Sequence, residues 1–204
     1  MKKRMFLLIA VGMMAMTAAA QMQRTVAQKK QVVNLESVKF SEATSMRPDT
    51  VMPNGDWQRV VQSEMTAKES FKYARQVLAR IVPDYQRNVQ LEDTADCKIV
   101  VLATLPLLAQ LKAPQTTYKF NGTYDVTLTL TMKDNRYRVS GEAVKCSFTV
   151  KSDGYEVDRK TDRLMSEVSG MSDGTMQDDL RWKAGQLVTL IDRMLKKQKS
   201  DDDF

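Results

Sequence analysis

From Thr123 to Met132 apolar and polar residues alternate without a break: Tyr124, Val126, Leu128, Leu130 and Met132 hold one parity, Thr123, Asp125, Thr127, Thr129 and Thr131 the other. In a pleated strand that pattern buries the first set and leaves the threonines on the opposite face. Lys133-Asp134-Asn135 then reads as a turn, and an apolar parity returns through Tyr137, Val139, Val144, Cys146, Phe148 and Val150. Its phase slips by one near Gly141, which predicts a β-bulge and a bent sheet. Residues Thr123 to Val150 are therefore expected to form a long antiparallel hairpin with one buried face.

Upstream, Trp57 to Ser63 reads as a strand, and Thr66-Ala67-Lys68-Glu69 has the spacing of a helix capping box. Phe71, Ala74, Val77, Leu78 and Ile81 fall on one helical stripe until Pro83 blocks continuation. Asn88 to Glu92 and Lys98 to Leu105 are strand-like, the second apolar on both parities and hence covered on both faces or central in a sheet. Pro106 to Thr117 is bounded by prolines and reads as a loop carrying Leu107, Leu108 and Leu111, with Asn121-Gly122 as a turn after it. Ser152 to Gly174 is polar and carries no clear assignment. Met176, Leu180, Ala184, Leu187, Ile191 and Met194 or Leu195 then step by three and four along a helix from Thr175 to Lys199. Asp178 and Asp179 near its start and Lys196, Lys197 and Lys199 near its end suit the helix dipole.

The N-terminus changes the compartment. A basic start at Lys2, Lys3 and Arg4, an apolar run from Met5 to Met16 and small residues at Ala18 and Ala20 have the three-part form of a secretory signal peptide. Cleavage near Ala20-Gln21 would leave a periplasmic or secreted protein, not an integral membrane one, and would lower the formal net charge from +6 to +3 by removing those three cations. The remaining basic excess is small and dispersed along the chain, and with export it argues against a nucleic-acid partner. The organisation expected is a signal peptide over 1–20, a flexible segment over 21–55 containing a short strand at Ser37 to Phe40, one domain over 56–200 and a disordered acidic tail over 201–204.

Residues Trp57 to Val150, about half of the chain, resemble a family of exported bacterial proteins, domain of unknown function 4468, with a TBP-like fold. The matching pieces are the capped helix from Thr66 to Val82, the phrase Val89-Gln-Leu-Glu-Asp followed by Lys98-Ile-Val, and the hairpin phrase from Tyr124 to Arg138. Asn135 stands where a glycine turn would be usual, and the Pro106 to Thr117 insert is long, so neither loop carries over. The resemblance implies an α+β, TBP-like fold: one curved antiparallel sheet of about five strands packed against two helices, in the order β-α-β-β-β-β-α. It brings no activity and no functional residues. That sheet order would separate the strands holding Cys97 and Cys146 by the Thr123 to Met132 strand and leave two free thiols.

Candidate chemistry is sparse. The sequence has no histidine, which removes histidine triads, most zinc sites and the commonest general base, and no cofactor is assigned. Glu92, Asp93 and Asp96 cluster in a connection whose spacing matches no calcium loop, so they are read as a solvated turn, with no metal assigned. The candidate contact surfaces are the threonine face, Thr123, Asp125, Thr127, Thr129 and Thr131, and the leucines Leu107, Leu108 and Leu111; each also has a plain reading, as a wet strand face and as core packing. Three functions follow: a non-catalytic binding domain for a protein, glycan or lipid partner in the envelope, a structural or assembly element, and an enzyme using carboxylates alone.

Overall fold

The computed structural model describes residues 31–35, 46–168 and 173–202. The expected signal peptide and the short strand at Ser37 to Phe40 lie outside them. The order is β1 (Trp57–Gln62), α1 (Ala67–Ile81), a single turn α2 (Tyr85–Asn88), β2 (Val89–Asp93), β3 (Lys98–Ala113), β4 (Thr116–Lys133), β5 (Arg136–Ser152), β6 (Tyr155–Leu164), a 3-10 turn at Met165–Glu167 and α3 (Asp173–Asp202).

All strand pairs are antiparallel, in the order β1-β5-β4-β3-β2, with β6 continuing along the β5 edge beyond β1. The class is α+β with one open sheet, as expected, but with a sixth strand inside the stretch left unassigned. That strand alternates no apolar face: every residue of β6 is exposed, so no period marks it. Its edge carries Glu156, Asp158, Arg159, Lys160 and Asp162, charges that discourage pairing with another chain.

The hairpin parity is as read. Tyr124, Val126, Leu128, Leu130 and Met132 are buried beside Tyr137, Val139, Val144, Cys146 and Phe148. The register slips between Asp125/Lys145 and Thr127/Glu142, which puts the bulge just beyond Gly141. Over this face pack α1, through Phe71, Ala74, Val77 and Leu78, and α3, through Met176, Leu180, Ala184, Leu187, Val188, Ile191 and Leu195. The Thr66 hydroxyl accepts from the Glu69 amide at 3.3 Å while Glu69 accepts from the Thr66 amide at 2.8 Å, the capping box in full. Such a cap stabilises a helix by about 1 kcal/mol.

The hairpin tip is tied to that helix start. Asp134 accepts from the Ala67 amide at 2.8 Å, and Asn135, in the left-handed region at φ 62°, exchanges backbone hydrogen bonds with Ser63 and Met65. Asparagine tolerates that conformation, which is why no glycine is needed there.

Two loops of the sequence reading are strand instead. Residues Pro106 to Ala113 continue β3, paired residue by residue with Thr116 to Thr123 of β4, and Asn121-Gly122 lies inside β4, not at a turn. Proline is tolerated because β2 pairs only with the first residues of β3, leaving a free edge beyond them. Along that edge the Thr104 carbonyl accepts from the Val33 amide at 2.9 Å, and the Leu108 amide donates to Asp179 of α3 at 3.2 Å. Pro106 lies midway with the same orientation and has no amide to satisfy. Gly122 is held by close approach: a Cβ there would lie 1.9 Å from the Ser147 carbonyl oxygen.

The termini also depart from expectation. Val33 and Leu35 are buried, the Met46 amide donates to the Thr189 hydroxyl at 3.2 Å, and Arg181 donates to the Pro48 carbonyl at 2.8 Å, so these parts of the 21–55 segment pack on the domain. Asp201 and Asp202 end α3 in helical conformation instead of a disordered tail, and Asp202 pairs with Lys72 at 2.6 Å.

Candidate functional site

Among the described residues, the six strands and two long helices leave one sheet face without a helix. It is the threonine face. Thr123, Asp125, Thr127, Thr129 and Thr131 lie on it in a row, all half-buried by their neighbours. Register places Pro106, Thr104, Leu102, Val100 and Lys98 of β3 directly beside them. On the other side stand Ser147, Lys145, Glu142, Ser140 and Arg138 of β5, with Val60 of β1 beyond Arg138.

The leucines divide. Leu107 is fully buried in the core, which removes it as a contact residue because alternation turns it to the helix side. Leu108 faces the other way and is 60% exposed on the open face. Leu111, on the Leu107 parity, is partly buried and lines a cleft described below.

Register also collects residues that the sequence reading treated as dispersed. Lys98, Thr131, Arg138 and Val60 form one row across four strands, and Lys133, Arg136 and Gln62 form the next. Among the described residues none of Lys98, Lys133, Arg136 and Arg138 makes an ion pair. Val60, Thr131, Lys133, Arg136 and Arg138 line a shallow groove of about 220 Å³. At the far end of the same face Lys112, Lys119 and Lys151 are exposed and likewise without an ion pair among the described residues. The acids of the same face are Asp93 opposite Lys98, Asp125, which accepts from the Thr104 hydroxyl at 2.9 Å, Glu142, Asp162, and Glu156 opposite Lys151, so the cations outnumber them without being alone. Lys145 is neutralised by Asp162 at 3.5 Å. Each of these seven cations shares the parity of the threonines, and that is the signal by which the patch is legible once the pairing is known.

On the helix side, beyond the reach of the buried α3 stripe, the sheet bears a second concavity of about 660 Å³. Leu111, Tyr118, Phe120, Phe148, Val150 and Val157 give it an apolar wall, and Asp158, Lys160, Arg163 and Glu167 stand at its rim. Apart from Leu111 none of these was singled out from sequence: those of β4 and β5 share the parity of the core, and the rest fall in the stretch left unassigned.

The remaining candidates have structural partners. Glu92 accepts from the Tyr85 hydroxyl at 2.6 Å and pairs with Arg75 at 2.9 Å, and Asp93 accepts from the amides of Ala95 and Asp96 at 2.9 and 3.0 Å. For Asp93 that is turn chemistry, as read, whereas Glu92 lies in β2 and is engaged by α1 and α2 instead of standing in a solvated turn. Asp179 accepts from the Tyr124 hydroxyl at 3.1 Å, and burial holds its carboxyl above the ordinary aspartate range despite Lys183, the Leu108 amide and that hydroxyl. Asp192 accepts from the Tyr137 hydroxyl at 3.0 Å and from Lys196 at 2.7 Å, and both tyrosines are pushed upward first by burial and then by their carboxylate partners.

Cys97 and Cys146 are buried free thiols, as expected. The Met132 amide donates to the Cys97 carbonyl whereas Cys146 pairs with Tyr124, an offset of about 27 Å along β4 at ~3.4 Å per residue, with β4 itself between them. No bridge can span it. Burial, then Asp125 and Glu167, pushes the Cys146 thiol up to about 11.

Five solved chains are similar to this one, the following two among them. One is a TBP-like protein from Parabacteroides distasonis, 11% identical, with 70% of this chain and 92% of that chain covered and a TM-score of 0.43. The likeness is one of fold alone. The other is a DUF4468 family protein from Bacteroides ovatus, also 11% identical, covering 76% of this chain and 91% of that one at a TM-score of 0.39. These are the fold and the family that the hairpin residues resemble, and neither name states an activity. No family model matches the chain, and no curated protein matches it.

Proposed function

We propose that this chain is an exported, non-catalytic binding domain of the cell envelope or secretome that meets its partner through the helix-free face of its sheet. The observation that carries this reading is the set of cations, without an ion pair among the described residues, held in register with a row of hydroxyls on that face. The carboxylates that an enzyme without histidine would need are instead engaged by the fold: Asp125, Asp179, Asp192, Glu92 and Asp93 each accept hydrogen bonds from it. An assembly element would offer its lead-in or last helix for attachment, yet Val33, Leu35 and the apolar stripe of α3 are spent on the core.

Partner recovery from envelope extract with the wild-type chain and with a Thr127→Glu, Thr129→Glu variant tests the face. The variant is expected to lose the partner; equal recovery by both proteins overturns the face as the binding surface. Export is tested by sequencing the N-terminus of the protein found outside the cytoplasm, expected to begin at Gln21. A second reading rests on the helix-side cleft, whose volume of about 660 Å³ and apolar wall suit a small apolar ligand. An environment-sensitive apolar dye should bind there and be displaced in a Val157→Lys variant; a dye signal that the variant leaves unchanged removes that reading.

A further inference from the structure

We infer that the partner of the open face is an anionic lipid surface, on which the domain docks peripherally; this rests on the open-face reading above and names its ligand class. The first observation is the spacing of charge. Lys98, Lys133, Arg136 and Arg138 cluster at one end of the face, and Lys112, Lys119 and Lys151 at the other. From Lys133 to Lys119 along β4 is roughly 45 Å at ~3.3 Å per residue. A single small anion fills the groove beside Arg136 but leaves the far cluster unsatisfied, whereas an extended anionic surface meets both.

The second observation separates a bilayer from a soluble polyanion. Val60, Leu91, Leu102 and Leu108 are 50, 42, 45 and 60% exposed, and they make up half of the large hydrophobic residues that stand exposed in the described structure. Register puts all four on the cationic face: Val60 opposite Arg138, Leu91 opposite Val100, Leu102 opposite Thr127 and Leu108 opposite Asn121. A hydrophilic polyanion gives such side chains nothing, while the interfacial region of a membrane takes up aliphatic groups and attracts nearby cations together. No helix among the described residues is long and apolar enough to cross a membrane. The hairpin tip between Lys133 and Arg136 is fixed to β1 and α1 by Asp134 and Asn135, which presents the near cluster on a rigid platform.

Cosedimentation of the signal-free chain with vesicles of phosphatidylglycerol and phosphatidylcholine, against phosphatidylcholine alone, tests the inference. Binding is expected to the anionic vesicles only and to fall with added salt. Each cation near an anionic surface is worth about fivefold in partition, so Lys133→Gln, Arg136→Gln and Arg138→Gln together should weaken binding about a hundredfold. A control of equal charge on the helix side, Lys68→Gln, Arg80→Gln and Lys197→Gln, should keep most of it; circular dichroism melts confirm that both triple variants fold. Leu102→Ser should weaken vesicle binding without changing retention on a soluble sulfated polysaccharide. No binding to anionic vesicles, or equal loss in the two triple variants, overturns the inference. Retention on the polysaccharide that requires the near cluster, with no vesicle binding, would leave the open-face reading standing and make the partner a polyanion; indifference of both probes to the near cluster would remove both readings.

Discussion

Asp179 joins the free edge of β3 to α3, and replacing it separates the worth of a hydrogen-bond acceptor from that of a buried charge. One carboxylate oxygen receives the Leu108 amide at 3.2 Å and the Tyr124 hydroxyl at 3.1 Å, and Tyr124 also reaches the Met176 carbonyl at 3.1 Å. Asp179→Ala therefore strands the amide and leaves the phenol one acceptor, a loss of about 1–3 kcal/mol. At about 2–4 °C per kcal/mol in a domain of this size, the melting temperature should fall by roughly 2–12 °C. Asp179→Asn keeps an oxygen in the same place and removes the charge. Burial raises the Asp179 carboxyl above its unfolded value, so the unfolded chain surrenders that proton at lower pH than the folded one. The stability from the protonated acid is full below the unfolded pKa, about 3.9, declines as pH rises through the folded value and stays lost at neutrality. Urea unfolding at neutral pH should therefore find Asp179→Asn at least as stable as wild type, with the two converging below about pH 4. An asparagine variant as unstable as the alanine one at neutral pH would refute the reasoning and assign the contact to charge.

Other outcomes follow from the same geometry. Gly141→Ala places a Cβ 2.4 Å from the Trp57 indole nitrogen, an overpacking expected to cost about 1–3 kcal/mol; Gly122→Ala, against backbone of β5 at 1.9 Å, should cost more, and a melt matching wild type would deny that close approach. The Cys146 thiol, buried and pushed up to about 11, should resist alkylation near pH 8 until urea is added, and an unfolded chain whose mass shows neither thiol modified without reductant would reveal a bridge. Arg136→Gln with Arg138→Gln should raise the melting temperature at low salt, because neighbouring like charges on one face repel by about a few tenths of a kcal/mol per pair in water. That gain should vanish near 1 M salt, where the Debye length is about 3 Å; a lower melting temperature would show instead that these cations hold the fold.

Much of the fold was legible because its strongest elements alternate cleanly. The β4 parity, the Thr66 to Glu69 box, the stop at Pro83 and the slip past Gly141 all describe local physics that the tertiary structure leaves in place. The misreadings share a cause. Pro106 and Asn121-Gly122 carry the vocabulary of loops, but the first lies on a free edge and the second where two backbones approach, and both conditions are set by strands distant in sequence. β6 escaped because a strand exposed on both faces has no hydrophobic period. The cationic patch escaped for a related reason: Lys98 is far from Arg138 along the chain, and only the pairing through Thr131 makes them neighbours on one row.

The packing of the sheet does not call for cations at those positions. Thr129 and Ser140 occupy the adjacent row of the same face, so uncharged residues serve the same sheet one step away from Arg138. Like charges there raise the energy of the free protein, and the strands cannot spread to relieve it, since the tip is bound through Asp134 to the Ala67 amide and through Asn135 to Ser63 and Met65. An anion at the face lowers that repulsion without ordering any backbone, so little of the attraction is lost to conformational entropy. A rigid sheet with fixed like charges and exposed aliphatics beside them is thus prepared for contact before contact occurs, and that preparation is what the vesicle experiment measures.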